Sequence, residues 1–275
     1  MSTSSSPTSH NWLAQATQQL KSAGIATARL DALVLLEDCL NTNRAHILAY
    51  PETVLTVEQL ATLHAQLARR EAHEPLAYIR GKTEFYSRDF VVNNHVLEPR
   101  PESETMINLL KQLSFKQRIS VADIGSGSGA LGITAALELP VPVDLFLHDI
   151  DPKTLMVAEQ NARLHNVPAQ FIQSNLIKNN NTHHDILLCN LPYVPNDFHI
   201  NTAATHEPRL AIFGGPDGLD LYREMFTQLA ELDWTPSHIL TESLPPQHEE
   251  LARIAEKHGY KLTMSEDFVQ VFLAS

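Results

Sequence analysis

The sequence predicts an α/β fold: a mostly parallel sheet with helices on both faces, preceded by a small helical bundle. Three observations carry this. From Ile119 onward, short apolar runs alternate with stretches of helical periodicity, the pattern of strand–helix–strand units. Residues 11–74 show helical spacing and no strand signal. Between them, the Thr83-Glu-Phe-Tyr-Ser and Asp89-Phe-Val-Val-Asn runs read as a β-hairpin.

Residues 1–10 are small and polar and read as a disordered tail. From Asn11, the apolar positions Trp12, Leu13, Ala16 and Leu20 share one helical face, and Gly24 marks a stop. A second helix runs roughly from Thr27 to Leu40, and a short one lies around Arg44–Ala49. Thr56 followed by Gln59 has the form of a capping box, opening a helix to about Ala72. Residues 11–74 therefore make a helical domain, either a packing appendage or a surface on which a substrate docks. Residues 75–101 form a β-hairpin linker that bridges to the main domain, 102–275. There a helix near Glu104–Leu113 precedes strands at about Ile119–Ile124, Val143–Asp149, Gln170–Gln173 and Asp185–Cys189. A helix from about Leu219 to Leu232, a strand at His238–Thr241, a helix at Gln247–His258 and two closing strands complete it. The polar run from Lys178 to His184 reads as a solvated loop.

Composition narrows the function. At 275 residues and 43% apolar, the chain can bury a core without disulfides or a structural metal. Through Arg80 there are 6 basic and 7 acidic residues; beyond it there are 14 and 25. So acidic a main body excludes a protein that grips nucleic acid through phosphate contacts, which need clustered cations. Cys39 and Cys189, far apart, fit a reducing compartment. The N-terminus lacks a basic start followed by an apolar run, and nothing approaches the roughly 20 apolar residues of a membrane span. The expectation is a cytoplasmic monomer with no membrane partner. The 14 histidines are scattered without ligand spacing, so no metal site is expected.

Three segments carry chemistry. In Val121-Ala-Asp-Ile-Gly-Ser-Gly-Ser-Gly, an apolar strand runs through Asp123 into glycines at 125, 127 and 129, a turn through which the backbone approaches a ligand closely. Its spacing is tighter than the dinucleotide fingerprint, and it lacks the Gly-Lys-Ser/Thr ending of a P-loop. Asp149 ends the next strand, about 20 residues on, where an acid accepts hydrogen bonds from both ribose hydroxyls. Asp151, followed by Pro152, reads instead as a helix N-cap. Asn175, after the third strand, either faces an adenine or is a turn residue. Cys189-Asn-Leu-Pro-Tyr closes the fourth strand. Asn190 supplies an amide oxygen, Leu191 a carbonyl held outward by Pro192, and Tyr193 a flat apolar face, a set suited to a planar nitrogen group.

Together these segments resemble class I S-adenosylmethionine-dependent methyltransferases acting on planar nitrogen. Glu74-Pro-Leu-Ala-Tyr-Ile-Arg-Gly, Leu97-Glu-Pro-Arg-Pro-Glu-Ser-Glu and His206-Glu-Pro-Arg-Leu-Ala-Ile-Phe-Gly-Gly further resemble the HemK/PrmC family. The resemblance implies a Rossmann-like, seven-stranded catalytic domain with a helical N-terminal domain. It implies S-adenosyl-L-methionine as cofactor, held by Asp123, Gly125, Ser126, Gly127, Ser128, Gly129, Asp149, Asn175, Leu176 and Asn190. It also implies an activity: methylation of the side-chain nitrogen of the glutamine in the Gly-Gly-Gln motif of peptide-chain release factors, with Asn190, Leu191, Pro192 and Tyr193 as the catalytic set. The family usually has proline where this chain has Leu191. Asn-Leu-Pro-Tyr as written also resembles the motif of ribosomal RNA adenine-N6 dimethyltransferases, which lack the helical domain and the Pro-Arg-Pro-Glu segment. A degenerate homologue that only binds a partner is the third reading.

Overall fold

The computed structural model of the chain describes residues 7–178 and 182–275. It divides into two compact units, one formed by the helical segment through Gly81 with Asn201–His206, the other by Lys82–Ile200 with Glu207–Ser275. Among the described residues no helix is long and apolar enough to cross a membrane.

The helical unit contains α1 (Ser9–Ser22), α2 (Ala28–Leu40), α3 (Arg44–Ala49), α4 (Val57–Glu71) and α5 (Leu76–Arg80). Trp12, Leu20, Leu35, Leu36, Leu55 and Leu63 are fully buried and form its core. Asn41, in the left-handed region at φ 47°, ends α2, and the Thr56–Gln59 capping box opens α4 as expected. Arg70 Nε donates to Asp31 Oδ2 at 2.8 Å with both side chains nearly buried, so losing either partner strands a charge.

Two boundaries differ from the sequence reading. The expected tail ends earlier: the Thr8 side chain caps α1, Ser9 is buried, and the Ser9 N–H donates to the Thr53 carbonyl at 2.8 Å. Small polar residues look like tail in composition, yet they are also the best N-caps and fit tight packing. Residues 1–6 lie outside the described residues. The helical unit also continues past residue 74, because Pro75 starts α5 rather than ending helical structure.

The second unit opens with a hairpin, β1 (Lys82–Phe85) and β2 (Arg88–Val91), turned by Tyr86 and Ser87 at φ 50° and 58°. It is not a free-standing linker. Phe85 and Phe90 enter the main core, and the Asn161 carboxamide bonds both the N–H and the carbonyl of Val91. Next come α6 (Glu104–Leu110), β3 (Ile119–Ile124), α7 (Ala130–Glu138), β4 (Val143–Asp149), α8 (Pro152–Leu164), β5 (Ala169–Gln173) and β6 (Ile186–Cys189). The unit ends with α9 (Asp220–Ala230), β7 (His238–Glu242), α10 (His248–Lys257), β8 (Tyr260–Glu266) and β9 (Val269–Ala274). The seven-stranded sheet has the order β5-β4-β3-β6-β7-β9-β8, parallel through β7, with β9 antiparallel to both its neighbours. One core packs α6, α7 and α8 on one face, and a second packs α9 and α10 on the other. Every residue of β6 is buried, which explains the unbroken Ile-Leu-Leu-Cys run. The chain steps outward from β3 to β4 and β5, then returns to place β6 on β3's other side. This switch leaves a crevice at the carboxyl ends of β3 and β6.

His184, expected in a solvated loop, is buried. Its ring meets Phe146 at 4.6 Å, Trp234 at 5.3 Å and the equally buried His148 at 5.6 Å. Residues 179–181 of that run lie outside the described residues. Burial pulls His148 down to about 4 and His184 down to about 3, the latter also through the charges of His148 and His183. In the unfolded chain both take up protons near 6.5, before the fold allows it. Their stabilisation is therefore full above that pH and drains as pH falls toward 4 and below. The His148→Asn variant, whose amide can still reach Ser174 Oγ, should show a shallower fall in melting midpoint between pH 6.5 and 4 than the parent; an unchanged slope contradicts this.

Candidate active site

The crevice holds a cavity of about 370 Å³, a size suited to a small-molecule ligand. Its floor is the turn between β3 and α7. Gly125 and Gly127 adopt φ of 72° and 55°, where a side chain is strained, and a Cβ on Gly127 would meet only open space. The Gly125 and Ser126 N–H groups donate to the His148 carbonyl at 2.9 and 2.8 Å, pinning the turn to β4. Ser126 Oγ is buried beside the cavity without a hydrogen-bond partner among the described residues. Ser128 lines the same wall. Gly129 does not reach the cavity. A Cβ there would press on Ile133, Leu147 and Ala158, so this glycine seats α7 against its neighbours.

Two carboxyls flank the turn. Asp123 accepts the Gly132 N–H at 2.8 Å, and burial, with the nearby Asp149 charge, pushes it up to about 7. Asp149 accepts from the Gly127 and Asp151 N–H groups, both at 3.1 Å, and burial raises it above the ordinary carboxylate range. Asp151 caps α8 through the Lys153 N–H at 2.8 Å, as its spacing predicts. Asn175 and Leu176 border the cavity, but the Asn175 amide donates to Glu224 Oε1 at 2.8 Å, tying it to α9.

At the end of β6, Asn190, Leu191 and Pro192 line the opposite wall. Asn190 Nδ2 donates to Ser103 Oγ at 2.9 Å, which leaves Oδ1 as the carboxamide's acceptor for a ligand. Leu191 is buried, and a Cβ on Gly125 would stand 3.3 Å from its Cδ2, so its side chain packs under the glycine turn. Tyr193, next in the turn, stays partly exposed and is not part of the cavity's lining. Its hydroxyl donates to the buried Glu242 Oε1 at 2.9 Å, and its ring packs against the α9–α10 core. Burial and the Glu242 charge hold this phenol well above its usual range.

Sequence reasoning missed Ser103, Glu242 and the upper wall. The Pro-Arg-Pro-Glu-Ser segment serves as scaffold: Arg100 Nη2 meets the nearly buried Glu207 carboxylate at 2.5 Å, and Ser103 holds Asn190. The wall includes Leu210, Phe213 and Gly214, reached by pairing of Val194 with Phe213 beyond the Asn-Leu-Pro-Tyr turn. Gln247 Nε2 donates to the Tyr193 and Asp217 carbonyls at 2.8 and 2.7 Å, closing the loop from behind. None of this has a local signal, since each contact joins residues far apart in the chain. Chemically, the cavity joins a carboxyl at the end of β4, a bare glycine turn and an oriented amide oxygen at the end of β6.

A close backbone approach in this wall is at Gly214, where a Cβ would fall 2.1 Å from the Pro192 carbonyl oxygen. Backbone cannot yield as a flexible side chain does, so Gly214→Ala should cost about 1–3 kcal/mol in denaturant unfolding. An undiminished midpoint contradicts this packing.

Comparison with known proteins places this architecture. Residues 11–81 match the PrmC N-terminal domain and residues 103–207 the methyltransferase small domain. A release factor glutamine methyltransferase of Koribacter versatilis is 36% identical, with 78% of this chain and 79% of the relative covered. The Coxiella burnetii protein of the same name is 34% identical over 86% of each chain. A methyltransferase crystal structure from Pyrococcus furiosus superposes with a TM-score of 0.50 at 15% identity, covering 79% of this chain and 98% of that one, and shares the fold. With such identity across most of both chains, this protein belongs to the release factor glutamine methyltransferase family.

Proposed function

We propose that this protein transfers a methyl group from S-adenosyl-L-methionine to the side-chain amide nitrogen of the glutamine in the Gly-Gly-Gln motif of a peptide-chain release factor. The observation that carries the reading is the pairing, across one glycine turn, of the Asp149 carboxyl with an Asn190 carboxamide whose nitrogen is already engaged. Family membership supports it. The residues fit the cofactor: open space over Gly127, an unpartnered Ser126 hydroxyl, and a carboxylate at the ribose position.

The cofactor supplies an electrophilic methyl group on a sulfonium. What the chain must supply is position, because an amide nitrogen is a poor nucleophile with its lone pair delocalised into the carbonyl. Asn190 Oδ1 and the Leu191 carbonyl accept the two glutamine N–H bonds and aim the nitrogen. The same two oxygens favour the positive charge that grows on nitrogen as the methyl–sulfur bond gives way to the methyl–nitrogen bond. The methylated amide becomes neutral by releasing one N–H proton to solvent. Asp149 holds ribose hydroxyls, and the Asp123–Ser128 turn cradles the rest of the cofactor. Tyr193, its hydroxyl held by Glu242, anchors the Asn-Leu-Pro-Tyr turn and offers its ring as a packing face for the glutamine. The helical domain, near neutral where the catalytic domain is acidic, serves as the docking surface for the protein substrate. The cytoplasm is the place of work and a monomer the working form in this reading.

The test is peptide mass spectrometry of a release factor incubated with the protein and isotopically labelled cofactor. A methyl group on the Gly-Gly-Gln glutamine is expected; methylation elsewhere, of RNA, or none at all overturns the proposal. Two variants separate the walls of the site. Asn190→Ala should lower turnover by about 100-fold or more with cofactor affinity nearly unchanged by calorimetry. Asp149→Ala should instead weaken cofactor binding about tenfold or more, roughly 1.4 kcal/mol.

A further inference from the structure

We propose that Ser103, backed by Glu242, is a positioning residue that decides which end of the Asn190 carboxamide faces the substrate. This rests on the functional reading above and names what makes its central residue competent.

A carboxamide has a donor end and an acceptor end of nearly the same shape. Only the acceptor end serves a substrate that arrives with N–H groups. Something must therefore break the symmetry, and it must hold the NH2 end. Ser103 is placed to do so, with its Oγ accepting from Asn190 Nδ2 at 2.9 Å. Ser103 ends the 3-10 turn Pro101–Ser103 that leads into α6, and its side chain makes no bond to the helix backbone. It is 2% exposed while bordering the cavity, so bulk water does not compete for its hydroxyl.

A hydroxyl can accept from an amide and equally donate to one, so its own proton needs a destination other than Asn190 Oδ1. Glu242 supplies it. The carboxyl lies at the end of β7, 1% exposed, beside Ser103, Asn190 and Tyr193. Its Oε1 takes the Tyr193 hydroxyl at 2.9 Å, and its buried Oε2 is left to the Ser103 and Asn190 side chains beside it. A carboxylate is an acceptor only. Facing Ser103, it draws the hydroxyl proton to itself and turns an oxygen lone pair toward Asn190. The polarity then runs one way: Asn190 N–H to Ser103 oxygen, Ser103 O–H to Glu242, with Tyr193 O–H closing on the same carboxylate. Without Ser103, the NH2 end loses its 2.9 Å acceptor and keeps only Glu242 beside it. The preference for that orientation weakens, and the amide more often turns its NH2 end into the cavity, where it repels the substrate's N–H groups.

The experiment uses the full-length protein, a recombinant release factor and labelled S-adenosyl-L-methionine. Ser103→Ala should lower kcat about tenfold or more, while calorimetric cofactor affinity stays at the parental value and the protein stays folded at the assay temperature; Ser103→Thr, which keeps the hydroxyl, should restore most of kcat. Glu242→Gln should lower kcat in the parent and by a smaller factor in the Ser103→Ala background, because part of its effect passes through that hydroxyl. Parental kcat in Ser103→Ala, a loss matched by weaker cofactor binding, or no rescue by threonine overturns the assignment. Additive losses for Glu242→Gln remove its share. If Asn190→Ala remains active, the functional reading itself fails. If Asn190→Ala is inactive and Ser103→Ala is not, only this inference fails.

Discussion

The parallel pairing of β3 with β6 is the constraint on which the site depends. Its register sets Ile124 opposite Cys189, so the next residues, Gly125 and Asn190, leave the sheet side by side. Neighbouring strands stand about 4.8 Å apart, and that spacing brings the glycine turn and the Asn-Leu-Pro-Tyr turn to one cavity. A register slip of one residue would turn every β6 side chain to the opposite face. Because β6 is buried on both faces between β3 and β7, its register is held by packing as well as hydrogen bonds. Leu191 continues this packing out of the sheet, seated beneath Gly125, where the family more usually has proline. A proline would stiffen this turn by its fixed φ; here burial of an apolar side chain holds it.

Around that pairing the protein keeps several polar side chains out of water. Tyr222 donates at once toward the Cys189 and Glu242 carbonyls, Gln247 spans the Tyr193 and Asp217 carbonyls, and Glu242 takes Tyr193. Buried polar groups are costly unless satisfied, and a satisfied network rigidifies its surroundings. The benefit falls on the Asn-Leu-Pro-Tyr turn, which has no regular secondary structure of its own beyond one bridge to Phe213. Burial raises the Asp123, Asp149, Glu207 and Glu242 carboxyls together, so the acidic surplus of this unit is partly a feature of its interior.

The sequence was most legible where one residue type meets one local demand. Asp151-Pro152 is an N-cap followed by proline, and Thr56–Gln59 is a capping box; both work within one helical turn. It was least legible where a residue's partner lies far along the chain. The partner that holds the Tyr193 hydroxyl, Glu242, comes from β7, 49 positions on. Gly129 reads as part of the cradle until Ala158 and Leu147 pack against it. His184 reads as loop until Trp234 and Phe146 enclose it. The hairpin reads as a linker until its two phenylalanines enter a core built from later helices.

By itself the sequence determined the α/β alternation, the order of elements, the glycine turn, the acid at the end of β4 and the Asn-Leu-Pro-Tyr motif. Those are consequences of periodicity and local backbone chemistry, which act over a few residues. Only the tertiary structure decided which of these side chains reach the cavity and which way the Asn190 amide is turned. That choice depends on Ser103, 87 positions earlier, and on Glu242, contributed by another strand. The physical reason is that a hydrogen bond's direction is set by what its donor and acceptor meet in space.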